Sequence, residues 1–266
     1  MQKFKDVFGT TKPIIAMAHL RALPGSPLYD RTAGIDGIIR AVLADIEALQ
    51  DGGVDAILFG NEGDRPYVTR ATPESLTAMA FVVARVRDIL TVPFGVNYLW
   101  DPVASVALAH ATGAAFVREV FTGVYDSDMG LWVPNAAEAV RLRQHLGDDT
   151  LLLYNINAEF ASAVGNRSNA AKARSAVFAS LADGICVSGP MTGDSVEMTD
   201  LHDVKAAVPE VPVIANTGVR IENVTAILSV ADAAIVGTSF KQGGDTWKPV
   251  DRDRVSAFMD MVRSAR

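Results

Sequence analysis

The sequence holds a single cysteine, Cys186, and it lies inside the apolar run GICVSG. One thiol excludes an internal disulfide and suits a reducing compartment. Buried in such a run, it reads as a small core residue rather than a nucleophile. Positive charge is also scarce, with 24 Lys and Arg against 31 Asp and Glu and a formal net charge of −7. That balance argues against a nucleic-acid or anionic-membrane partner, so any anion site must be a local focus of positive potential. No apolar run approaches the ~20 residues of a membrane helix, and MQKFKDVFGTTKP shows no apolar leader. The expected localisation is therefore cytoplasmic. The spacings H-x-H, HExxH and DxDxDG are missing, and no metal ligand or other cofactor is assigned, although convergent carboxylates leave room for a divalent ion. A GxSxG elbow is missing too. Strands five and six lack the lysine that a Schiff-base aldolase needs.

What is present is an apolar chain of ordinary domain size. Its 266 residues are 49% hydrophobic and 21% charged, with a mean hydropathy of +0.20, enough to bury a sizeable core. Short apolar runs of strand length recur at Pro13–Leu20, Asp55–Phe59, Val92–Asn97, Ala115–Val120, Leu151–Ile156, Asp183–Val187, Val211–Ala215 and Val230–Val236. Between them stand segments of helical period: Asp36–Gly52, Thr72–Leu90, Pro102–Thr112, Asn135–Leu146, Asn169–Leu181, Asp200–Val208 and Glu222–Leu228, with Arg252–Val262 last. Thr72-Pro73 has the form of an N-cap followed by proline at the first helical position. Strict alternation of strand and helix calls for a parallel sheet. Eight units over this length predict one (β/α)8 TIM-barrel domain spanning residues 1–266.

Two strand ends carry a specific signal. IANTGV and IVGTSFK each turn abruptly from Ile, Val and Ala to glycine and hydroxyl residues. Glycine there lets backbone approach a ligand, and a following helix would aim free N–H groups and its positive dipole end at the same point. As the last two of eight units they match the phosphate site of a TIM barrel. Thr217, Gly218, Gly237 and Thr238, with Gly193 of the SGPMTG loop, are the expected phosphate ligands.

A barrel also collects the residues at its strand ends into one mouth. Glu119, His19 and Asp64 are the candidates for proton transfer, because burial readily tunes both residue types toward neutral pH. Arg118 and Glu119 are adjacent and so point to opposite faces of their strand; Glu119 is expected to face the interior. Asn61, Glu62, Asn97, Tyr154, Asn155, Ser188, Asn216 and Lys241 are the expected substrate-lining residues.

The phrases PIIAMAHLRALPGSPLY, GGVDAILFGNEGDRPY, PFGVNYLWD, FTGVYDSDMGL, VSGPMTG and IVGTSFKQGGDTWKPVD, in this order, resemble the BtpA/SgcQ family over nearly the whole chain. The resemblance implies a phosphate-binding TIM barrel; the family's names come from photosystem I biogenesis and a sugar-utilisation gene cluster. Relatives tend to carry histidines where this chain has Val120-Phe121-Thr122-Gly123 and Asn155-Ile156-Asn157-Ala158-Glu159-Phe160. Chemistry done by those imidazoles would be lost or changed here. The leading expectation is an enzyme acting on a small phosphorylated sugar or nucleotide-like metabolite, as isomerase, lyase or glycosyl-bond hydrolase, in a homo-oligomer. The alternatives are a non-catalytic assembly or regulatory factor and a phosphate-binding barrel that has lost catalysis.

Overall fold

In the computed structural model, which describes residues 1–266, eight parallel strands close into a barrel. They are β1 (Ile14–His19), β2 (Ala56–Gly60), β3 (Phe94–Asn97) and β4 (Phe116–Glu119), then, counting three short strands described below, β7 (Leu151–Asn155), β9 (Gly184–Val187), β10 (Val213–Ala215) and β11 (Ala233–Val236). The ring closes through β1 on β11, with Ile15 opposite Ile235. This is a TIM barrel, as the alternation of elements predicts. The outer layer comprises α2 (Gly34–Gly52), α3 (Pro73–Val86), α4 (Pro102–Thr112), α5 (Ala136–His145), α6 (Asn169–Ser180), α7 (Met198–Ala207), α8 (Val224–Leu228) and α9 (Arg252–Ala265).

Local chemistry sets several helix starts. Asp101 accepts from the N–H groups of Val103 and Ala104, both at 3.0 Å, where Pro102 needs no acceptor. Ser168 and Asn135 cap α6 and α5 in the same way. Thr72 occupies the cap position of α3, but its side chain makes no capping bond.

Two apolar clusters divide the strands by face. The smaller fills the barrel with Ile15, Met17, Leu58, Phe116, Leu151, Leu153, Cys186, Ile214 and Ile235. The larger lies between strands and helices and takes the alternate residues, among them Val117, Leu152 and Tyr154. The N-terminal helix α1 (Gln2–Phe8) closes the floor: Phe4 packs tilted against Phe8, and Phe8 against Phe116 with centroids 5.2 Å apart. Gly95 makes room for that ring, since a Cβ there would lie 2.3 Å from Phe116.

A small antiparallel sheet of β5 (Tyr125–Ser127), β6 (Gly130–Trp132) and β8 (Ala161–Ala163) rises on the C-terminal side, from the segments after β4 and β7. Tyr125, Trp132, Trp100 and Leu99 form its apolar seat, with Trp100 and Trp132 rings 5.3 Å apart. Neither this sheet nor α1 was expected from the sequence. No helix is long and apolar enough to cross a membrane.

Candidate functional site

Because Phe116 must fill the barrel floor, the residue two positions on, Arg118, also points inward and Glu119 does not. This reverses the expectation for β4. Glu119 is fully buried outside the cavity wall, where Asn97 Nδ2 and the N–H of Val120 bond its carboxylate. Burial pushes that carboxyl up to about 8.

The cavity opens at the C-terminal ends of the strands and measures about 580 Å³. Met17 and Ile235 floor it, and His19, Glu62, Arg118, Glu159 and Asn216 form its inner wall. Arg118 is paired with Glu159, Nη2 to Oε1 at 2.5 Å. Glu159 also accepts from Asn216 at 3.0 Å on Oε1 and from Thr192 at 3.1 Å on Oε2, which leaves Oε2 able to accept a further bond. Glu62 differs: no hydrogen bond from the chain reaches its carboxylate, although its main-chain carbonyl accepts from Tyr67 at 3.2 Å. Burial, and next the charge of Glu159, raise the Glu62 carboxyl from 4.5 to about 7. His19 moves the other way. Burial, and then the positive charge of Lys241, lower it from 6.5 to about 3, so its imidazole is neutral near pH 7. Its Nδ1 has no partner, and its ring lies 3.2 Å from where a Cβ on Gly237 would stand.

The outer wall comes from the loops after β10 and β11. The N–H groups of Thr217, Gly218, Val219 and Gly237 have no acceptor within the chain. Arg220 and Arg254 flank them, with Glu222 as the nearby carboxylate. Arg220 Nη2 bonds the carbonyl of Gly193 at 2.7 Å, and Arg254 Nε that of Ser239 at 2.9 Å. Gly218 has φ +62°, and a Cβ would lie 2.2 Å from Ser195 N, so only glycine fits between these loops. Thr217 Oγ1 ties the same loops, donating to Asp194 O at 2.7 Å and accepting from Gly189 N at 2.6 Å. Thr238 Oγ1 lies 2.7 Å from Thr246 Oγ1.

Gly193, Thr217, Gly218, Gly237 and Thr238 thus all line one cavity with His19, Glu62 and Asn216. The other expected residues stand elsewhere. Asp64 does not line the cavity: it accepts from Leu23 N at 2.6 Å, Ser75 Oγ at 2.9 Å and Asn61 Nδ2 at 3.1 Å. Asn61 in turn accepts from Leu99 N at 2.7 Å. These two tie loops together. Tyr154 faces the helices, stacked 4.2 Å from Phe121 and donating to Ser180 O at 2.7 Å. Lys241 is a buried partner of Asp45 at 2.7 Å. Asn97, Asn155 and Ser188 sit beneath the wall, where Asn97 accepts from Arg118 at 3.3 Å and Ser188 donates to Asn155 at 3.0 Å.

Arg118, Glu159, Arg220 and Arg254 are the residues that strand-end reasoning missed or set aside. Glu159 lies four positions beyond the end of β7, and Arg254 is on a helix. Only the pairing of each strand with its barrel floor would have found Arg118. No group of three His, Cys, Asp or Glu side chains is placed to hold a metal ion.

The fold and this cavity define a TIM-barrel protein with an open cavity at the C-terminal mouth. The chain belongs to the BtpA family, whose model matches residues 10–264. It is 46% identical over 267 residues to the sgc region protein SgcQ of Escherichia coli, covering 100% of both chains. It is 32% identical to the Photosystem I biogenesis protein BtpA of Synechocystis, covering 97% of this chain and 90% of that one. Among solved structures it resembles phosphoribosyl anthranilate isomerase from Thermus thermophilus, with TM-score 0.58 and 13% identity over 96% of this chain and 100% of that one. At that identity the likeness speaks to fold alone.

Proposed function

We propose that this chain is an enzyme that binds a small phosphorylated metabolite and moves a proton on it at the barrel mouth. The phosphate would be held by the free N–H groups of Gly218, Val219 and Gly237, with Arg220 and Arg254 supplying charge. Glu62 would be the general acid–base group. Its carboxyl is unpartnered and poised near pH 7, where such a group works best. Neutral His19 would hydrogen-bond the reacting oxygen, and the Arg118–Glu159 pair would orient hydroxyls. The observation that carries this reading is a single cavity with unpaired amides at one end and an unpaired carboxylate at the other. Thermal-shift titration with phosphorylated sugars tests it, because a ligand of the native state raises its stability. A phosphosugar found this way should be turned over by the wild type and not by Glu62→Gln.

A second reading, an assembly factor, draws on the exposed Leu131, Val133 and Val164 in and beside the small sheet, 69%, 61% and 63% exposed. It also draws on the name of the Synechocystis relative. Under it, Glu62→Gln would leave function intact, and substitutions of Leu131 and Val133 would abolish it.

A further inference from the structure

The charge balance of the cavity differs between its two ends, and the difference points to the chemistry of the ligand's far end. At the outer end Arg220 and Arg254 outnumber the one carboxylate, Glu222, and free amides add to the positive potential. At the inner end every cation is already matched. Arg118 is held by Glu159 at 2.5 Å and Lys241 by Asp45 at 2.7 Å, while Glu62 brings a carboxyl with no partner. A second carboxylate entering this end would meet Glu62 and Glu159 with no cation left to receive it. Aromatic surface is equally sparse. The one Phe, Tyr or Trp ring in the cavity wall is Phe258, which lies with Arg254 and Ala257 on α9 at the outer end. A base at the inner end would therefore find no Phe, Tyr or Trp ring to stack on, only the small imidazole of His19. Thr192, Asn216 and neutral His19 instead offer hydroxyl, amide and imidazole groups, which suit alcohols and a carbonyl.

Resting on the phosphate reading above, we infer that the substrate is a sugar phosphate whose non-phosphate end is an uncharged hydroxylated carbonyl compound, neither an aldonate nor a nucleotide. Its phosphate is the only anionic group, and the hydroxyls reach Asn216, Thr192 and the Arg118–Glu159 pair.

The test compares thermal shifts of the full chain with inorganic phosphate, ribose 5-phosphate, 6-phosphogluconate and AMP at equal concentration. Ribose 5-phosphate should raise Tm more than phosphate does, and the other two no more than phosphate does. A larger shift with 6-phosphogluconate or AMP than with ribose 5-phosphate overturns the inference, as does ribose 5-phosphate giving no more than phosphate. A protein that no phosphate compound stabilises would instead refute the phosphate reading, and this inference with it. Glu159→Gln provides a second arm, since it frees the Arg118 guanidinium. The variant should shift preference toward 6-phosphogluconate by about tenfold. Should that variant fail to fold, Glu62→Gln, which removes a carboxyl with no hydrogen bond to lose, should move the preference in the same direction. An unchanged preference in a folded variant contradicts the charge argument.

Discussion

Charged groups occur on both faces of the barrel's strand ends, yet the two sets are built differently. Behind the cavity, Asp64 accepts three hydrogen bonds, Glu119 is bonded to Asn97 and Val120, and Lys241 is locked to Asp45. Inside it, Glu62 lacks a partner and the amides of the loops after β10 and β11 are free. Burial raises the carboxyls of both Glu62 and Glu119. A perturbed carboxyl is thus a poor guide to function by itself. Access to the cavity and an unfilled hydrogen-bonding capacity separate Glu62 from Glu119, and it is on these that the proposed role of Glu62 rests.

The largest expected effect breaks the inner set. Glu62→Gln should lower turnover of a phosphosugar by about 10²–10⁴-fold while leaving phosphate affinity nearly unchanged and raising Tm at neutral pH, where burial of the ionised carboxylate costs stability. In the wild type, kcat/KM should rise as Glu62 ionises through about 7, and the variant should lose that limb. Equal losses of turnover in Glu62→Gln and Glu119→Gln would erase the distinction drawn between them.

Breaking the outer set should cost stability instead. Asp45→Ala leaves Lys241 as a buried ammonium without its counter-charge, a change worth about 3–5 kcal/mol. Denaturant unfolding would measure it, and turnover per folded molecule should hold.

A smaller effect is expected at the phosphate end. Arg220→Ala or Arg254→Ala should weaken inorganic phosphate binding by about tenfold each, as loss of one charge-assisted contact would. Calorimetric titration over a range of salt would show whether the contact is electrostatic.

A last effect concerns pH and stability. Glu119 has a folded-state value of about 8 against an ordinary 4.5, so the native state favours its protonated form. Its contribution is fully present below 4.5 and is lost as pH rises toward 8. Glu119→Gln should therefore show a flatter decline of Tm over that range than the wild type, in a scan of Tm against pH. His19 acts oppositely: its contribution is present above 6.5 and lost as pH falls toward 3.

Much of the barrel was legible because each buried strand is a compact apolar run closed by small or polar residues. The expected Pro13–Leu20 contains the observed Ile14–His19, and the expected Leu151–Ile156 contains Leu151–Asn155. The glycine-hydroxyl phrases after β10 and β11 also pointed to residues that line the cavity. What could not be read was phase. In a strand buried on both faces, alternation of polarity disappears, and nothing local says whether Arg118 or Glu119 looks inward. That choice is made by Phe116 against Phe8 and the gap at Gly95, contacts distant in sequence. The small sheet escaped notice because its strands are three residues each and gain an apolar seat from residues of other segments, Leu99, Trp100, Val120 and Ala158. Glu159 was missed for a related reason, since a loop residue acquires its role from partners on β4 and in the loops after β9 and β10.

A crystal structure with inorganic phosphate tests the central claim most directly. The anion should sit at the outer end of the cavity, within hydrogen-bond distance of the N–H groups of Gly218 and Gly237 and of Arg220 or Arg254, with Glu62 facing the space beyond it. An empty outer end at saturating phosphate, or phosphate bound only on the outer helices, would contradict the account.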